Sequence, residues 1–138
     1  MHFLFLLIVS FLTFFETSDG YTTIGNTLYT NVAMYSGEAL LTCDGLIRLI
    51  MQTDGNLVEY DSSNNVLWAS GTNGQGSPPY RLRMQGDGNL VIYDKFLSVI
   101  WATNIFGSNA YLVLQTNANA VIYSDSGVLW ASSSPDSG

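Results

Sequence analysis

The chain has 138 residues, with 11 Asp and Glu, 4 Lys and Arg, and a formal net charge of −7. This length suits one domain, with or without a short leader. The negative charge disfavours a nucleic-acid partner, because basic side chains supply most of the affinity for a phosphate backbone. Cys43 is the only cysteine and His2 the only histidine, which excludes an internal disulfide, a Cys/His zinc site and a Ser-His-Asp triad.

The N-terminal segment is predicted to be a secretory signal peptide. Residues 3–15 read FLFLLIVSFLTFF, which is shorter than the roughly 20 apolar residues of a membrane span but typical of a signal peptide. The small residues Ser18 and Gly20 suit cleavage after Gly20, which leaves a net charge of −5 and no second apolar run. We therefore expect residues 1–20 to be the signal peptide and residues 21–138 to be a secreted, extracellular domain without a membrane span. A retained apolar anchor is the alternative.

The rest of the chain contains one unit in three copies. Each copy has a segment of similar sequence, namely MQTDGNLVEY (51–60), MQGDGNLVIY (84–93) and LQTNANAVIY (114–123). Each segment is followed by an apolar residue, a Trp, an Ala and a Ser or Thr, and the tryptophans are Trp68, Trp101 and Trp130. The Trp lies 16, 16 and 15 positions after the Gln of its copy. Because the Gln-containing segment and the Trp unit recur together at nearly constant spacing, they indicate a threefold internal repeat over about residues 40–134, with residues 21–39 as a lead-in.

Each unit is predicted to be β-structure. In the first copy, polar side chains occupy every second position from Gln52 to Asn56, and Val58 and Tyr60 continue the alternation, so in a strand these side chains share one face. Turn-forming residues follow the Tyr of each copy, and a second short strand ends at the Trp. No stretch has helical periodicity. We predict an all-β fold of three small sheets packed on a common axis, with the tryptophans in the core. The β-trefoil, a competing threefold fold, has longer repeats and a Gln-x-Trp motif that does not match.

The polar row has the chemistry of a sugar-binding surface. Alternate side chains on a strand stand about 6.6 Å apart, which matches the size of a pyranose ring. A sugar hydroxyl both donates and accepts; ionised Asp accepts, whereas Gln, Asn and Tyr do both, and Val can lie against ring C–H groups. The alternative is a polar ladder that merely solvates a sheet, but solvation does not require the same ordered mixture in three copies.

The ordered pattern Gln-x-Asp-x-Asn-x-Val-x-Tyr resembles the mark of the bulb-type (monocot-type) mannose-binding lectin family. The segments SGEALLT (36–42) and WATN (101–104) also resemble the family, and the likeness covers about residues 25–134. The resemblance implies a β-prism II fold, with three four-stranded antiparallel sheets around a pseudo-threefold axis. It also implies mannose binding without metal, in which Asp and Asn take the axial 2-hydroxyl, Gln the 3-hydroxyl and Tyr the 4-hydroxyl.

Carried over residue by residue, the family pattern gives two complete sites and one altered site. The first site is predicted to be Gln52, Asp54, Asn56, Val58 and Tyr60. The second site is predicted to be Gln85, Asp87, Asn89, Val91 and Tyr93. The third site keeps Gln115, Asn119, Val121 and Tyr123 but has Asn117 where the family has Asp. A hydrogen bond to a charged group contributes about 1.5–3 kcal/mol, against about 1 kcal/mol for a neutral one. We therefore expect the third site to be weak or silent.

A second departure from the family pattern concerns its disulfide. The family commonly places one half-cystine between the Asp and the Asn of the first motif and its partner a few residues before the second motif. The corresponding residues here are Gly55 and Tyr80, so the whole bond is absent. Cys43 matches neither position, and we expect it to pack as a small apolar residue without a redox role.

The sequence thus predicts a secreted, metal-independent lectin for mannose-containing glycans, acting in defence or surface recognition, with no cofactor and no catalytic residue. By resemblance, it is expected to form a homodimer in which residues around Val128–Ser132 cross between chains. One alternative is a β-prism that has lost sugar binding and serves as a structural, storage or protein-interaction module. Another is a hydrolase that uses Asp54 and Asp87. That alternative is disfavoured, because glycosidase carboxylates lie about 5–10 Å apart across one bond and these two are expected on different sheets.

Overall fold

The computed structural model describes residues 15–16 and 20–133. The rest of the predicted signal peptide and the tail 134–138 lie outside the described residues. Within the described part, no helix is long and apolar enough to cross a membrane. The described residues form short strands, which are β1 (Phe15–Glu16), β2 (Thr22–Thr23), β3 (Thr27–Leu28), β4 (Ala33–Tyr35), β5 (Glu38–Leu41), β6 (Ile47–Met51), β7 (Leu57–Asp61), β8 (Val66–Ala69), β9 (Arg81–Met84), β10 (Leu90–Tyr93), β11 (Val99–Ala102), β12 (Tyr111–Leu114), β13 (Ala120–Ser124) and β14 (Gly127–Ala131).

The strands form three sheets, one for each copy of the predicted unit. The first sheet has the strand order β1-β2-β5-β6-β7-β8, the second β11-β10-β9-β4 and the third β14-β13-β12-β3. Neighbouring strands are antiparallel, except that β2 and β5 are parallel. The predicted all-β, β-prism II fold is confirmed. The first sheet differs from the expectation in that the short strands β1 and β2 extend its four strands β5 to β8.

The lead-in is part of the scaffold rather than a free extension. Its strand β3 pairs with β12 in the third sheet, and β4 pairs with β9 in the second sheet. The second and third copies each supply three strands of their own, so the lead-in completes both sheets. These pairings tie the N-terminal segment to two sheets that come much later in the chain.

The core is built from strands in which every second residue points inward. The strand before each motif, which the sequence analysis did not predict, supplies the clearest alternation; in β6, Leu49 and Met51 are 1% and 0% exposed. The same pattern recurs in β9 and β12, because side chains alternate between the two faces of a strand. The largest fully buried side chains are Leu28, Met34, Leu40, Leu49, Met51, Leu57, Leu82, Met84, Leu90, Ile92, Leu112 and Leu114.

The three predicted core tryptophans, one from each sheet, contact one another. The ring centroids of Trp68 and Trp101 lie 5.6 Å apart, those of Trp68 and Trp130 5.6 Å, and those of Trp101 and Trp130 6.0 Å, all edge to face. Edge-to-face pairs at this separation contribute a favourable interaction energy in addition to that from burial of their apolar surface. The rings pack against the buried cluster but are half-buried themselves, so they close the core at its margin and do not fill its centre.

A β-bulge precedes the motif Tyr in every sheet. The pairing register shifts between Glu59 and Tyr60, between Ile92 and Tyr93, and between Ile122 and Tyr123. A bulge bends its strand and redirects the neighbouring side chains. The same irregularity at the same place in each sheet therefore fixes the direction of the Tyr that ends each motif.

Cys43 does not pack as expected. It is exposed in the turn after β5, where its Sγ accepts a weak hydrogen bond of 3.9 Å from Asn26 Nδ2. The prediction that it behaves as a small apolar core residue is wrong. The adjacent core position is taken by Thr42, whose hydroxyl satisfies the turn by bonding to Asp44 and Ile47.

Candidate functional site

Each predicted row of five side chains is divided between a turn and a strand. The prediction of one continuous strand is wrong, because Gln52–Asn56 forms a tight turn that joins β6 to β7. The backbone N–H of Gln52 donates to the carbonyl of Asn56 at 2.9 Å, and Gly55 has a φ of +93°. A polar residue at every second position resembles strand alternation, whereas the Asp-Gly-Asn composition favours a turn. Val58 and Tyr60 lie on the strand, as predicted.

The Asp of each row shapes the turn with one of its oxygens. Asp54 Oδ1 accepts the backbone N–H of Asn56 at 3.0 Å, and Asp87 Oδ1 accepts that of Asn89 at 2.9 Å. Such a side-chain bond to the backbone two residues on is the usual Asx-turn. Both carboxylates are exposed. Gln85 Nε2 also donates to Asp87 Oδ1 and Oδ2 at 3.2 and 3.3 Å. Since a carboxylate oxygen can accept more than one hydrogen bond, the second oxygen of each Asp can still accept from a ligand.

The Asn of each row anchors a distant loop with its amide oxygen. Asn56 Oδ1 accepts the backbone N–H groups of Gly71 and Thr72 at 2.9 and 3.2 Å, and the hydroxyl of Ser70 at 3.1 Å. Since these bonds occupy the oxygen, the amide nitrogen is the atom left to meet a ligand, and it can only donate. The structure thus assigns Asn56 the role of donor next to an acceptor, Asp54.

The second site repeats this anchoring. Asn89 Oδ1 accepts the backbone N–H of Asn104 at 2.8 Å and the hydroxyl of Thr103 at 3.1 Å. The role of the Ser or Thr that follows each Trp-Ala pair was not predicted from the sequence. Its signal was its presence at the same position in all three copies, at Ser70, Thr103 and Ser132.

The Gln and the Tyr of each row are bonded to one another. Gln52 Nε2 donates to the Tyr60 hydroxyl at 2.5 Å, and the Tyr93 hydroxyl donates to Gln85 Oε1. The Val that lies between them in the motif is buried in both complete copies, since Val58 and Val91 are each 2% exposed. Only a small part of each Val is therefore accessible, and the contact of Val with ring C–H groups stays a prediction.

The third site keeps the backbone geometry but changes the chemistry. Asn117 Oδ1 accepts the backbone N–H of Asn119 at 3.1 Å, as the Asp does elsewhere. Its second terminal atom is an amide nitrogen, so where the other sites offer an acceptor this site offers a donor. Asn119 Oδ1 accepts the backbone N–H of Ser133 at 3.1 Å. A hydroxyl between Asn117 and Asn119 would face two donors, which leaves its own hydrogen without an acceptor.

The residue beside the motif Tyr differs from sheet to sheet. In the first sheet it is Arg48, whose guanidinium lies 4.6 Å from the Tyr60 ring centroid. In the second sheet it is Arg81, 5.8 Å from the Tyr93 ring centroid. In the third sheet Tyr111 stacks on Tyr123 at 5.9 Å. No role for these positions was predicted from the sequence.

One inward-facing position of the repeat carries a carboxyl group. Glu59 takes the place that Ile92 and Ile122 have in the other copies and is 0% exposed. Burial raises the pKa of Glu59 to about 7, although a hydrogen bond from Ser132 partly opposes this shift. Ser132 Oγ donates to Glu59 Oε1 at 3.2 Å, and Glu59 Oε2 has no partner within residues 20–133. Glu59 thus connects the core of the first sheet to the loop that completes the third site.

The two positions aligned with the family disulfide are in contact. A Cβ built on Gly55 would lie 2.8 Å from the Tyr80 ring, and Tyr80 is 3% exposed. The Tyr80 hydroxyl donates to the carbonyl of Gln75 at 2.6 Å. Packing of an aromatic ring on a glycine thus joins the turn of the first site to the segment before β9.

Other features bear on the alternatives. Asp54 and Asp87, the candidate pair for a hydrolase, lie in turns that belong to different sheets. In the part of the chain that the structure describes, no group of three or more His, Cys, Asp or Glu residues is arranged to hold a metal ion. A shallow cleft of about 320 Å³ opens beside the first site and includes Gln52 and Asp54 in its lining.

Comparisons with known proteins identify the family. The chain matches no protein-family model and no curated protein sequence, but it is similar to solved structures. The mannose-specific agglutinin from snowdrop (Galanthus nivalis) bulbs, solved with methyl-α-D-mannoside, is 42% identical with a TM-score of 0.65, over 71% of this chain and 88% of that one. The monomeric monocot mannose-binding lectins from Gastrodia elata give 41% identity and a TM-score of 0.70, over 79% and 97%. The Polygonatum cyrtonema lectin, solved with a monomannoside, gives 41% and 0.67, over 79% and 96%. This identity over most of each chain shows that the protein belongs to the family of bulb-type, monocot mannose-binding lectins.

Proposed function

We propose that the protein is a secreted, non-enzymatic lectin that binds mannose-containing glycans without a metal ion, in defence or surface recognition. Two of its sites are competent and the third is weak. The observation that carries the proposal is the pairing of an exposed carboxylate with a donor amide in the first and second sites. A sugar hydroxyl donates to the carboxylate and accepts from the amide, so both of its functions are satisfied.

Rigid support favours this use of the polar residues. In each complete site the Asp is held by its turn and the Asn by a loop from beyond the Trp. Preorganised groups lose little conformational entropy when a ligand binds. A monosaccharide covers a small area, so we expect each site alone to bind near the millimolar range, or about −4 kcal/mol. Two sites on one body raise the avidity for a glycan surface.

The test replaces one acceptor atom in each complete site. Asp54→Asn and Asp87→Asn keep the oxygen that shapes the turn but present a donor to the ligand, as Asn117 does. We expect the wild-type protein to bind mannan equally with and without a chelator, and the double variant to lose at least tenfold in affinity. Asp125→Asn is the matched control, because it makes the same change at an exposed Asp outside the rows.

The outcomes separate the competing functions. Loss of wild-type binding in chelator would contradict metal independence. A wild-type protein that binds no mannoside would instead support a β-prism with a structural, storage or protein-interaction role. Release of reducing sugar from a mannoside would support the alternative that the protein is a hydrolase.

We also propose that the protein forms a homodimer through exchange of the strand β14. In the single chain, β14 pairs with its own β13 through residues 121–124 and 127–131. Exchange would re-form the same pairs between two chains, as in other domain-swapped dimers, and would double the number of sites. The Gastrodia elata relatives are described as monomeric, so the mass of this protein in solution is the deciding measurement.

A further inference from the structure

Two arginines lie alongside the second site. Arg81 and Arg83 are alternate residues of β9 and point to the outer face, where Arg81 is paired with Tyr93 and Arg83 with Val91. Side chains opposite one another on neighbouring antiparallel strands are about 5 Å apart at their Cβ atoms. Both arginines are half-buried, so their stems pack on the sheet and their positions are restricted.

Neither guanidinium has a hydrogen bond or an ion pair within residues 20–133. Arg81 Nε is buried without an acceptor, and its described contact is with the Tyr93 ring, at 5.8 Å. Arg48, beside the first site, also has a buried Nε without an acceptor, but its terminal nitrogens donate to the Asp61 carbonyl at 2.9 Å and to Asn64 Oδ1. A chain with 4 Lys and Arg against 11 Asp and Glu thus leaves two of its cations unpaired beside one site.

The other charged groups near the second site strengthen this asymmetry. A cleft of about 240 Å³ is lined by Arg81, Lys95 and Tyr35. The Asp94 carboxylate also lines it, but its oxygens accept backbone N–H groups from the surrounding turn at 2.9 to 3.0 Å. Asp87 is the acceptor of the site itself. The third site has Tyr111 where the second has Arg81.

We propose that the second site binds a mannose residue that carries a phosphate or sulfate ester, with Arg81 and Arg83 holding the oxyanion. The inference rests on the proposed function and names the substrate class of that site. Arg presents a planar set of donors that matches such oxyanions. By the family resemblance, the row is expected to take the 2-, 3- and 4-hydroxyls, which leaves the 6-hydroxyl or the next sugar of the glycan to carry the ester.

The experiment compares neutral and charged mannosides on residues 21–138, the predicted mature chain. Methyl α-mannoside, its 6-phosphate and its 6-sulfate are titrated into an Asp54→Asn variant, in which the first site is weakened, and the Arg Nε–H signals are followed by NMR. We expect at least tenfold tighter binding of one or both esters at low salt, with shifts at the Arg81 signal. The preference should shrink in 0.5 M NaCl, because salt screens exposed charges.

Arginine variants test which residues cause the preference for the charged mannoside esters. Arg81→Gln with Arg83→Gln should abolish it, whereas Arg48→Gln, which removes a cation from the first sheet, should leave it in place. Glucose 6-phosphate and inorganic phosphate should bind more weakly than the mannoside ester, since they lack the sugar contacts. The two ester arms decide between phosphate and sulfate.

The failure of this inference can be told apart from failure of the proposed function. Equal affinity for the neutral mannoside and both esters would overturn the inference while the lectin function stands. No binding of any mannoside would overturn the proposed function first. Should the double arginine variant not fold, an ester preference in the wild-type protein that is insensitive to salt would overturn the inference.

Discussion

At the scale of single residues, one terminal atom separates the third site from the other two. Asp54, Asp87 and Asn117 each use Oδ1 to shape the turn. Their remaining atom is an acceptor oxygen in the first two cases and a donor nitrogen in the third. The difference is therefore in ligand chemistry and leaves the turn unchanged, which makes it reversible by one substitution.

Asn117→Asp is expected to restore the third site. In a background of Asp54→Asn and Asp87→Asn, the change should strengthen binding of methyl α-mannoside about fivefold, because it supplies a charged acceptor worth about 1 kcal/mol more than a neutral one. Titration by NMR measures the gain. Asn73→Asp, at an exposed position outside the rows, is the matched control. Absence of any gain would place the defect at Ala118 or Ala120.

Glu59 gives the stability of the fold an unusual dependence on pH. The pKa of Glu59 is about 7 in the folded chain and has its ordinary value of about 4.5 in the unfolded chain. Between pH 4.5 and pH 7, Glu59 is therefore mostly protonated when the chain is folded and mostly ionised when it is unfolded. The unfolded state then binds fewer protons, so stability falls as pH rises from 4.5 to 7. The shift corresponds to about 3 kcal/mol.

Replacing Glu59 tests this directly. Glu59→Ile, which copies Ile92 and Ile122, should raise the free energy of unfolding by about 3 kcal/mol more at pH 8 than at pH 4.5. Glu59→Gln is the matched variant, since it keeps the shape but does not titrate. Urea unfolding at the two pH values measures both. A Glu59→Ile gain that is equal at the two pH values would contradict the buried, protonated carboxyl.

At the scale of the elements, the hairpin turns explain where sequence reasoning succeeded and failed. The turns after each Tyr were predicted from their Asp, Ser, Asn and Gly residues and are confirmed. The turn inside each motif was read as strand, because its alternating polar residues have the same period as a pleat. Two turns have Gly55 and Gly88 at φ +93°, whereas the third has Ala118 at φ +68°.

Ala118→Gly is expected to stabilise the protein by about 1 kcal/mol, because a residue with a Cβ is strained at positive φ. The control is Ala102→Gly in β11, where the backbone has no positive φ and the same change should destabilise. Thermal unfolding of both variants gives the comparison. A loss of stability in Ala118→Gly would show that the third turn is not strained.

At the scale of the whole molecule, the fold could be predicted much further than the details of the sites. Three in-phase motifs and tryptophans were enough to predict three sheets around an axis. They could not show that β3 and β4 from the lead-in complete the second and third sheets, because such short strands carry no periodic signal. Nor could they show that each Asn oxygen is occupied by a loop beyond the Trp, since that contact depends on how the sheets pack.

The homodimer is tested at this scale. Light scattering of residues 21–138 at tens of micromolar is expected to give twice the chain mass. Deletion of residues 127–138 should reduce it to that of a monomer, because it removes the strand that exchanges. A monomeric wild-type protein whose mass per particle is unaffected by the deletion would contradict strand exchange, and the two-site single chain would then be the functional unit.

The packing of Tyr80 on Gly55 has a consequence for how the fold responds to reducing conditions. It connects the first site to the chain before β9 through van der Waals contact and one hydrogen bond to a carbonyl. A chain with one cysteine has no internal cross-link for thiols such as glutathione to cleave. Thiol reductants therefore have no intramolecular disulfide to break, and we expect the contact between Tyr80 and Gly55 to form in a reducing solution as well.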